Sequence, residues 1–157
     1  MVIYTIMDET HLGADNSLPA ATHSILVVED EVLIRMVIAD HLRECGFHVT
    51  EAADTGEAIE LLQSPEVRFD LVLSDVHMPG EMDGIGLARW IKAHRPNLPV
   101  ILTSGVAQTA ELGEELCAIG PIEAKPYNLG DLEQRMRKLL AGLEPADPII
   151  VTTIINT

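Results

Sequence analysis

The 157-residue chain is strongly acidic, with 25 Asp and Glu against 10 Lys and Arg and a formal net charge of −15. Such a chain repels nucleic-acid phosphates and anionic membrane surfaces, because binding to either rests on Lys and Arg neutralising negative groups. The composition therefore argues against both roles and suits the capture of a divalent cation by clustered carboxylates. Hydrophobic residues make up 47% of the chain but aromatics only 3%, so a single core built from Val, Ile, Leu, Met and Ala is expected.

Residues 1–23 read as an extension. Residues 1–7 are apolar and strand-like, and residues 8–23 mix Gly, Asn, Ser, Pro and Thr without a period, as a linker does. A regular alternation starts at Ser24. Ser24-Ile25-Leu26-Val27-Val28 is a short continuous apolar run, the mark of a strand covered on both faces, and it stops at Glu29-Asp30-Glu31. Val32, Leu33, Met36, Val37, Ala39, Asp40 and Leu42 follow with helical spacing until Gly46 stops the helix. Residues 47–51 form a weaker second strand. Asp54 caps a helix through Ala58, Ile59, Leu61 and Leu62, with Pro65 beyond its end.

The third strand is predicted over 69–74, FDLVLS, and ends at another acid, Asp75. After the turn Met78-Pro79-Gly80, residues 84–94 read as a helix. Residues 100–103 form a fourth strand ending at Ser104-Gly105. A short helix is expected around 109–118, interrupted by Gly113 and therefore the most mobile of the helices. Residues 121–124 make a poor fifth strand closed by Lys125-Pro126, and Asn128 or Gly130 opens a last helix over 131–140. Residues 143–157 are a tail whose β-prone stretch at 149–155 suits an added edge strand, a homodimer contact or an aggregation-prone end.

Five βα units in one run, over 24–142, predict an α/β domain of the doubly wound class, a parallel sheet with helices on both faces. Ligands in that class sit outside the carboxyl ends of the strands. The residues there are Glu29 and Asp30 after the first strand, Asp75 after the third, Ser104 after the fourth and Lys125 after the fifth. Taken singly, each has an ordinary explanation as a helix cap, a turn hydroxyl or a solvated charge. Gathered at one rim, three carboxylates repel one another and are best explained by a bound hard cation, for which Mg²⁺ is the candidate. A carboxylate held between that cation and a lysine can attack phosphorus and form an aspartyl phosphate. The two cysteines, Cys45 and Cys117, show no CxxC spacing and read as buried thiols in a reducing cytosol. No apolar run approaches the ~20 residues of a membrane span. No basic residue precedes the N-terminal apolar stretch as in a signal peptide, so a cytoplasmic location is expected.

The run Ser24-Ile-Leu-Val-Val-Glu-Asp-Glu, the segment Leu71-Val-Leu-Ser-Asp-Val-His-Met-Pro-Gly with Met82-Asp83-Gly84, then Pro99-Val-Ile-Leu-Thr-Ser-Gly and finally Lys125-Pro126 resemble the response-regulator receiver family of two-component signalling. The resemblance spans residues 23–142 and implies a flavodoxin-like (βα)5 fold. It implies that Asp75 is the phospho-acceptor and that Asp30 and Asp75 bind Mg²⁺, with Glu29 helping through water and the His77 backbone carbonyl as a further ligand. It makes Ser104 the switch hydroxyl and Lys125 the partner of the phosphoryl group, with a cis Lys125–Pro126 bond. Many members carry an aromatic three residues before the lysine. Here Ile122 stands there, which puts the usual aromatic switch in question and points to backbone shifts over 104–118 instead. The His77 side chain is expected in solvent. Val106 lies where a water-orienting group could sit, which suits a long-lived phosphoryl group.

The resulting expectation is a single-domain response regulator. It would be phosphorylated by a histidine kinase or histidine phosphotransfer protein and would not be a turnover enzyme. It would act on a downstream protein target or as a phosphate sink. The alternative is a Mg²⁺-dependent phosphohydrolase working through an aspartyl phosphate, although His77 stands where such enzymes often carry a second acid. A flavodoxin-like nucleotide or flavin binder would need a phosphate loop where Glu29-Asp30-Glu31 stands.

Overall fold

The structure, a computed structural model, describes residues 22–105, 122–125 and 128–143. Five parallel strands, β1 (Ser24–Val28), β2 (His48–Ala52), β3 (Leu71–Asp75), β4 (Val100–Gly105) and β5 (Ile122–Lys125), lie in the order β2-β1-β3-β4-β5. The described helices are α1 (Val32–Glu44), α2 (Thr55–Gln63), α3 (Gly84–His94) and α4 (Leu129–Leu140). The doubly wound parallel sheet expected from the sequence is therefore present. Residues 1–21 of the 1–23 extension, Val106, the 109–118 helix, the Lys125–Pro126 bond and residues 144–157 of the 143–157 tail lie outside the described residues.

Alternation along the strands builds two separate cores. Ile25, Val27, Leu71, Leu73 and Ile101 face one way and pack against Ile38, Ala39 and Leu42 of α1 and Leu132, Met136 and Leu140 of α4. Leu26, Val28, Val72, Val100 and Leu102 face the other way, against Ala58 and Leu62 of α2 and Ile85, Leu87, Ala88 and Ile91 of α3. A strand covered on both faces has no polar side to show, which is why β1 and β3 read as continuous apolar runs. Each buried aliphatic side chain contributes about 1.5–3 kcal/mol, so the sheet is held from both sides and its strand ends are well placed.

Local chemistry sets the helix ends. Asp54 accepts from the Glu57 backbone nitrogen at 2.8 Å while the Glu57 carboxylate accepts from the Ala53 nitrogen at 2.8 Å, a reciprocal capping arrangement. Asp83 caps α3 through the Gly86 nitrogen at 2.8 Å. Asn128, rather than Gly130, caps the last helix, accepting from the Gly130 and Asp131 nitrogens, so α4 begins two residues earlier than the periodicity suggests. Gly46 takes φ +95° just past the end of α1, a conformation that suits glycine.

Several strand bounds shift from the sequence reading. β2 starts at His48, and Phe47 before it packs into the core with the Arg137 guanidinium 4.7 Å from its ring centre. β3 includes Asp75, which pairs with Thr103 of β4, and β4 runs on through Gly105, opposite Lys125. In α1 the apolar residues do not form one buried stripe. Val32, Leu33, Met36 and Val37 are 56%, 76%, 48% and 59% exposed, while Ile38, Ala39 and Leu42 face the sheet. Trp90 packs on the rim of the α2/α3 core and stacks on His94, and Met78 is buried there. Cys45, read from the sequence as a buried thiol, is half-buried.

Gly84, the first residue of α3, presses against the strand that ends in Asp75. Its nitrogen donates to the Val76 carbonyl at 2.9 Å, and a Cβ there would stand 1.8 Å from the Asp75 carbonyl oxygen. That clash is with backbone and cannot be relieved by a side-chain rotation. Gly84→Ala is therefore expected to lower stability by about 3 kcal/mol. Gly86→Ala, whose Cβ would meet the flexible Met82 side chain, should cost clearly less. Urea unfolding of the two variants checks this.

Candidate functional site

The strand order reverses between β1 and β3, since β2 lies on one side of β1 and β3 on the other. Helices leaving these two strands go to opposite faces, which opens a crevice at their carboxyl ends. Glu29 and Asp30 follow β1 at this point, and Asp75 closes β3 beside it. One carboxylate oxygen from each of Glu29, Asp30 and Asp75 lies within 4.8 Å of the others. Glu29 and Asp75 are buried and Asp30 is half-buried.

Lys125, at the end of β5, reaches across to this cluster. Its Nζ donates to Asp75 Oδ2 at 2.9 Å and stands 3.8 Å from Glu29 Oε2. The other Asp75 oxygen, Oδ1, accepts from the His77 backbone nitrogen at 3.2 Å. Glu29 Oε1 accepts from the Glu31 nitrogen at 3.1 Å, and the Glu29 nitrogen donates to the Ala52 carbonyl at 3.1 Å. Ser104 is fully buried one residue beyond Thr103, the register partner of Asp75. The His77 side chain points to solvent, as the sequence suggested, and its backbone nitrogen is what touches Asp75.

Among the described residues the electrostatics are unbalanced, with the carboxyl groups of Glu29, Asp30 and Asp75 against the Lys125 ammonium. Burial, with the Asp75 charge added, raises the Glu29 carboxyl from 4.5 to about 7, while the Glu31 N–H and Lys125 pull the other way. For Lys125 burial alone would lower the ammonium, but the Asp75 hydrogen bond and the charges of Asp75, Glu29 and Glu31 outweigh it and raise it. Lys125 therefore stays charged at neutral pH. The donor set is all oxygen and holds excess negative charge, which fits a hard divalent cation such as Mg²⁺.

The sequence reading named Glu29, Asp30, Asp75 and Lys125, and the fold brings these four together. It places Ser104 on the neighbouring strand at the same end of the sheet. Two contributors were not foreseen. Gly84 stands in the sequence only as the end of the Met82-Asp83-Gly84 run, and its close approach to the Asp75 backbone shows only in the structure. Arg35, whose Nη1 donates to the Glu29 carbonyl at 2.7 Å, left no pattern in the sequence to find it by. Two hollows of about 390 and 460 Å³, which share Phe69, Arg95 and Leu98, lie where β3 and β4 begin, away from the acids.

The five-stranded parallel sheet in this order, flanked by helices on both faces, places the chain among the flavodoxin-like α/β domains. Within that class the chain belongs to the response regulator receiver domain family, which it matches over residues 25–137. It is 34% identical over 134 residues to the probable transcriptional regulator ycf27 of Cyanophora paradoxa, covering 84% of this chain and 53% of that protein. It is 35% identical over 117 residues to the response regulator receiver protein CpdR of Brucella abortus, covering 74% of this chain and 95% of that protein. The chain thus spans about half the length of the ycf27 relative and nearly all of CpdR. The crystal structure of the response regulator protein TrrA of Thermotoga maritima in complex with Mg²⁺-BeF superposes with a TM-score of 0.67 at 28% identity, covering 76% of this chain and 100% of that one. The signal receiver domain of a signal transduction histidine kinase from Syntrophus aciditrophicus gives 0.70 at 30% identity, covering 83% and 99%. Among the described residues no helix is long and apolar enough to cross a membrane.

Burial of Glu29 gives a pH signature. In metal-free buffer the unfolded chain ionises this carboxyl near 4.5 and the folded chain only near 7. The folded form holds the extra proton in between, so the Glu29 contribution to stability is full below the lower value and is lost as pH rises through the upper one. Glu29→Gln removes this dependence. Its stability relative to the parent should climb across that window and level off above it, as read from urea midpoints at several pH values in the presence of a chelator.

Proposed function

We propose that the protein is a response regulator that takes a phosphoryl group onto Asp75 from a phosphohistidine in a Mg²⁺-dependent reaction. The observation that carries this reading is the Lys125–Asp75 contact of 2.9 Å inside the three-carboxylate cluster. The solved Mg²⁺-BeF complex of the TrrA protein, a structural relative, supports the cation. Asp30 and Asp75 would hold Mg²⁺, with Glu29 through water and the His77 carbonyl as a further ligand. When bound, the cation would supply positive charge to the phosphoryl oxygens and relieve repulsion among the acids.

The chain's own groups do the rest. Lys125 and the His77 N–H hold the Asp75 carboxylate in one orientation, so the nucleophile is positioned before the donor arrives. An Asp75 oxygen forms the new P–O bond as the P–N bond of the donor imidazole breaks, and the imidazole leaves with a proton from solvent. Lys125 then turns from the carboxylate to a phosphoryl oxygen, and the Ser104 hydroxyl donates to another. Nothing in this sequence is a turnover cycle with a released product other than phosphate, so the protein acts as a switch rather than an enzyme. The phosphohydrolase alternative is disfavoured by His77, which stands where the second acid would be and turns its side chain to solvent.

The donor would be a histidine kinase or histidine phosphotransfer protein. The exposed strip Val32, Leu33, Met36 and Val37 begins two residues after Asp30 and offers an apolar face beside the site. An apolar face of this kind suits a protein donor, which must bring its imidazole to Asp75. The output would be contact with a downstream protein target, or competition for phosphoryl groups as a sink, in the cytoplasm. Homodimerisation through the tail is a further part of this reading.

Intact mass after incubation with acetyl phosphate and Mg²⁺ should show one added phosphoryl group. Asp75→Asn and chelation should each abolish it, and an adduct that persists in Asp75→Asn would overturn the assignment. Leu33→Glu should slow transfer from a phosphorylated protein donor by about ten-fold or more, as loss of a central apolar contact does. It should leave labelling by acetyl phosphate unchanged, because the small donor needs no docking face. Equal slowing of both would place the effect in the site instead.

A further inference from the structure

We infer that Arg35 is a positioning residue for the cation site: it fixes the peptide joining Glu29 to Asp30, while Glu51, shared with Arg43, offsets part of its charge. The inference rests on the reading that Glu29, Asp30 and Asp75 bind Mg²⁺.

Arg35 lies one turn into α1, and its side chain is only 15% exposed. Its Nη1 donates to the Glu29 carbonyl at 2.7 Å, and its Nε stands 3.4 Å from Glu51 Oε2 on β2. Glu51 in turn receives Arg43 Nη2 at 2.8 Å, and Arg43 also donates to the Val49 carbonyl at 3.2 Å. Helix, strand and loop are thereby strapped together at the end of the sheet where the acids gather.

A peptide unit is planar, so the direction of the Glu29 carbonyl and the direction in which the chain enters Asp30 are one quantity. Glu29 is tied at its nitrogen to Ala52 and at its carboxylate to the Glu31 nitrogen. Arg35 ties the remaining polar group of that residue. The two acids are thus presented from a loop that cannot rotate about its central peptide. Groups that orient metal ligands from behind in this way typically change affinity by about 10–100-fold when removed.

Arginine is also the side chain this position needs. A guanidinium placed one peptide from a cation site adds positive charge where positive charge is to bind. Its planar fork lets Nη1 bond the carbonyl while Nε faces the Glu51 carboxylate, so part of the charge is offset on the spot. A lysine offers one compact ammonium and cannot serve both partners in fixed directions.

The test is the Mg²⁺ dissociation constant of the full chain by titration calorimetry, with urea midpoints measured in metal-free buffer. The variants are Arg35→Ala, Arg35→Lys and Arg95→Ala. Arg95 makes a bond of the same kind, Nη2 to the Leu62 carbonyl at 3.0 Å, away from the acids. Arg35→Ala and Arg35→Lys should weaken Mg²⁺ by about ten-fold, and Arg95→Ala should lower the urea midpoint with Mg²⁺ affinity unchanged within two-fold. If Arg35→Ala fails to fold, Arg35→Lys, which keeps the charge and the stem, decides alone. Unchanged affinity in the Arg35 variants, or an equal loss in Arg95→Ala, would overturn the inference while leaving the cation site standing. No binding by the parent chain would overturn the cation reading and this inference with it.

Discussion

Like charges held at the end of a parallel sheet need a framework that will not move apart under their repulsion. One carboxylate oxygen from each of Glu29, Asp30 and Asp75 lies within 4.8 Å of the others, and among the described residues the Lys125 ammonium answers them. Such a cluster is unfavourable in itself, since taking charges from water costs several kcal/mol per ion. It persists because the groups that carry it are rooted in strands packed on both faces. Ile25, Leu26, Val27 and Val28 lead directly into Glu29, and Leu71, Val72 and Leu73 lead into Ser74 and Asp75, nearly all of them fully buried. The two cores therefore do more than hold the fold together. They set the distance between acids that would otherwise separate.

Topology decides which residues meet. β1 and β3 are neighbours only because the chain crosses from β2 over β1 to reach the other side. The register then aligns the strand ends, with Val28 opposite Ser74, Asp75 opposite Thr103, and Gly105 opposite Lys125. A slip of one residue along any of these strands would turn its acid or lysine to the other face. The alternation of two aliphatic faces makes such a slip costly, because it would exchange side chains between two cores of different shape. Specificity of the site and specificity of packing are the same constraint.

Much of this was legible in the sequence. Short apolar runs ending in acids gave the strands, and their alternation with helical patterns gave the parallel class. The acids and the lysine were found because each falls at the carboxyl end of a strand or just beyond it, where backbone direction alone brings them together. Other features depend on what a side chain reaches rather than on where it sits. In α1 nearly every position from Val32 to Leu42 is apolar apart from Arg35, Asp40 and His41, so spacing alone could not say which side turns to the sheet. The sheet selects Ile38, Ala39 and Leu42 and leaves Val32, Leu33, Met36 and Val37 in solvent. Gly84 was hidden for a related reason. Its role is the absence of a Cβ beside the Asp75 carbonyl, and an absence leaves no periodic mark.

On the proposed reading, the same contacts would carry a small chemical change at Asp75 into the neighbouring strands. Lys125 holds Asp75 and lies within 3.8 Å of Glu29, so a phosphoryl group on Asp75 would draw the ammonium away from both carboxylates. β5 and β4 pair from Leu102–Ile122 through Gly105–Lys125, so a pull on Lys125 is a pull on the strand beside Ser104. The interior on either side of the sheet is close-packed and does not deform gradually. Placing Asp75 at the last residue of a central strand lets the packing of the sheet and two hydrogen bonds, from Lys125 Nζ and the His77 N–H, fix one carboxylate together.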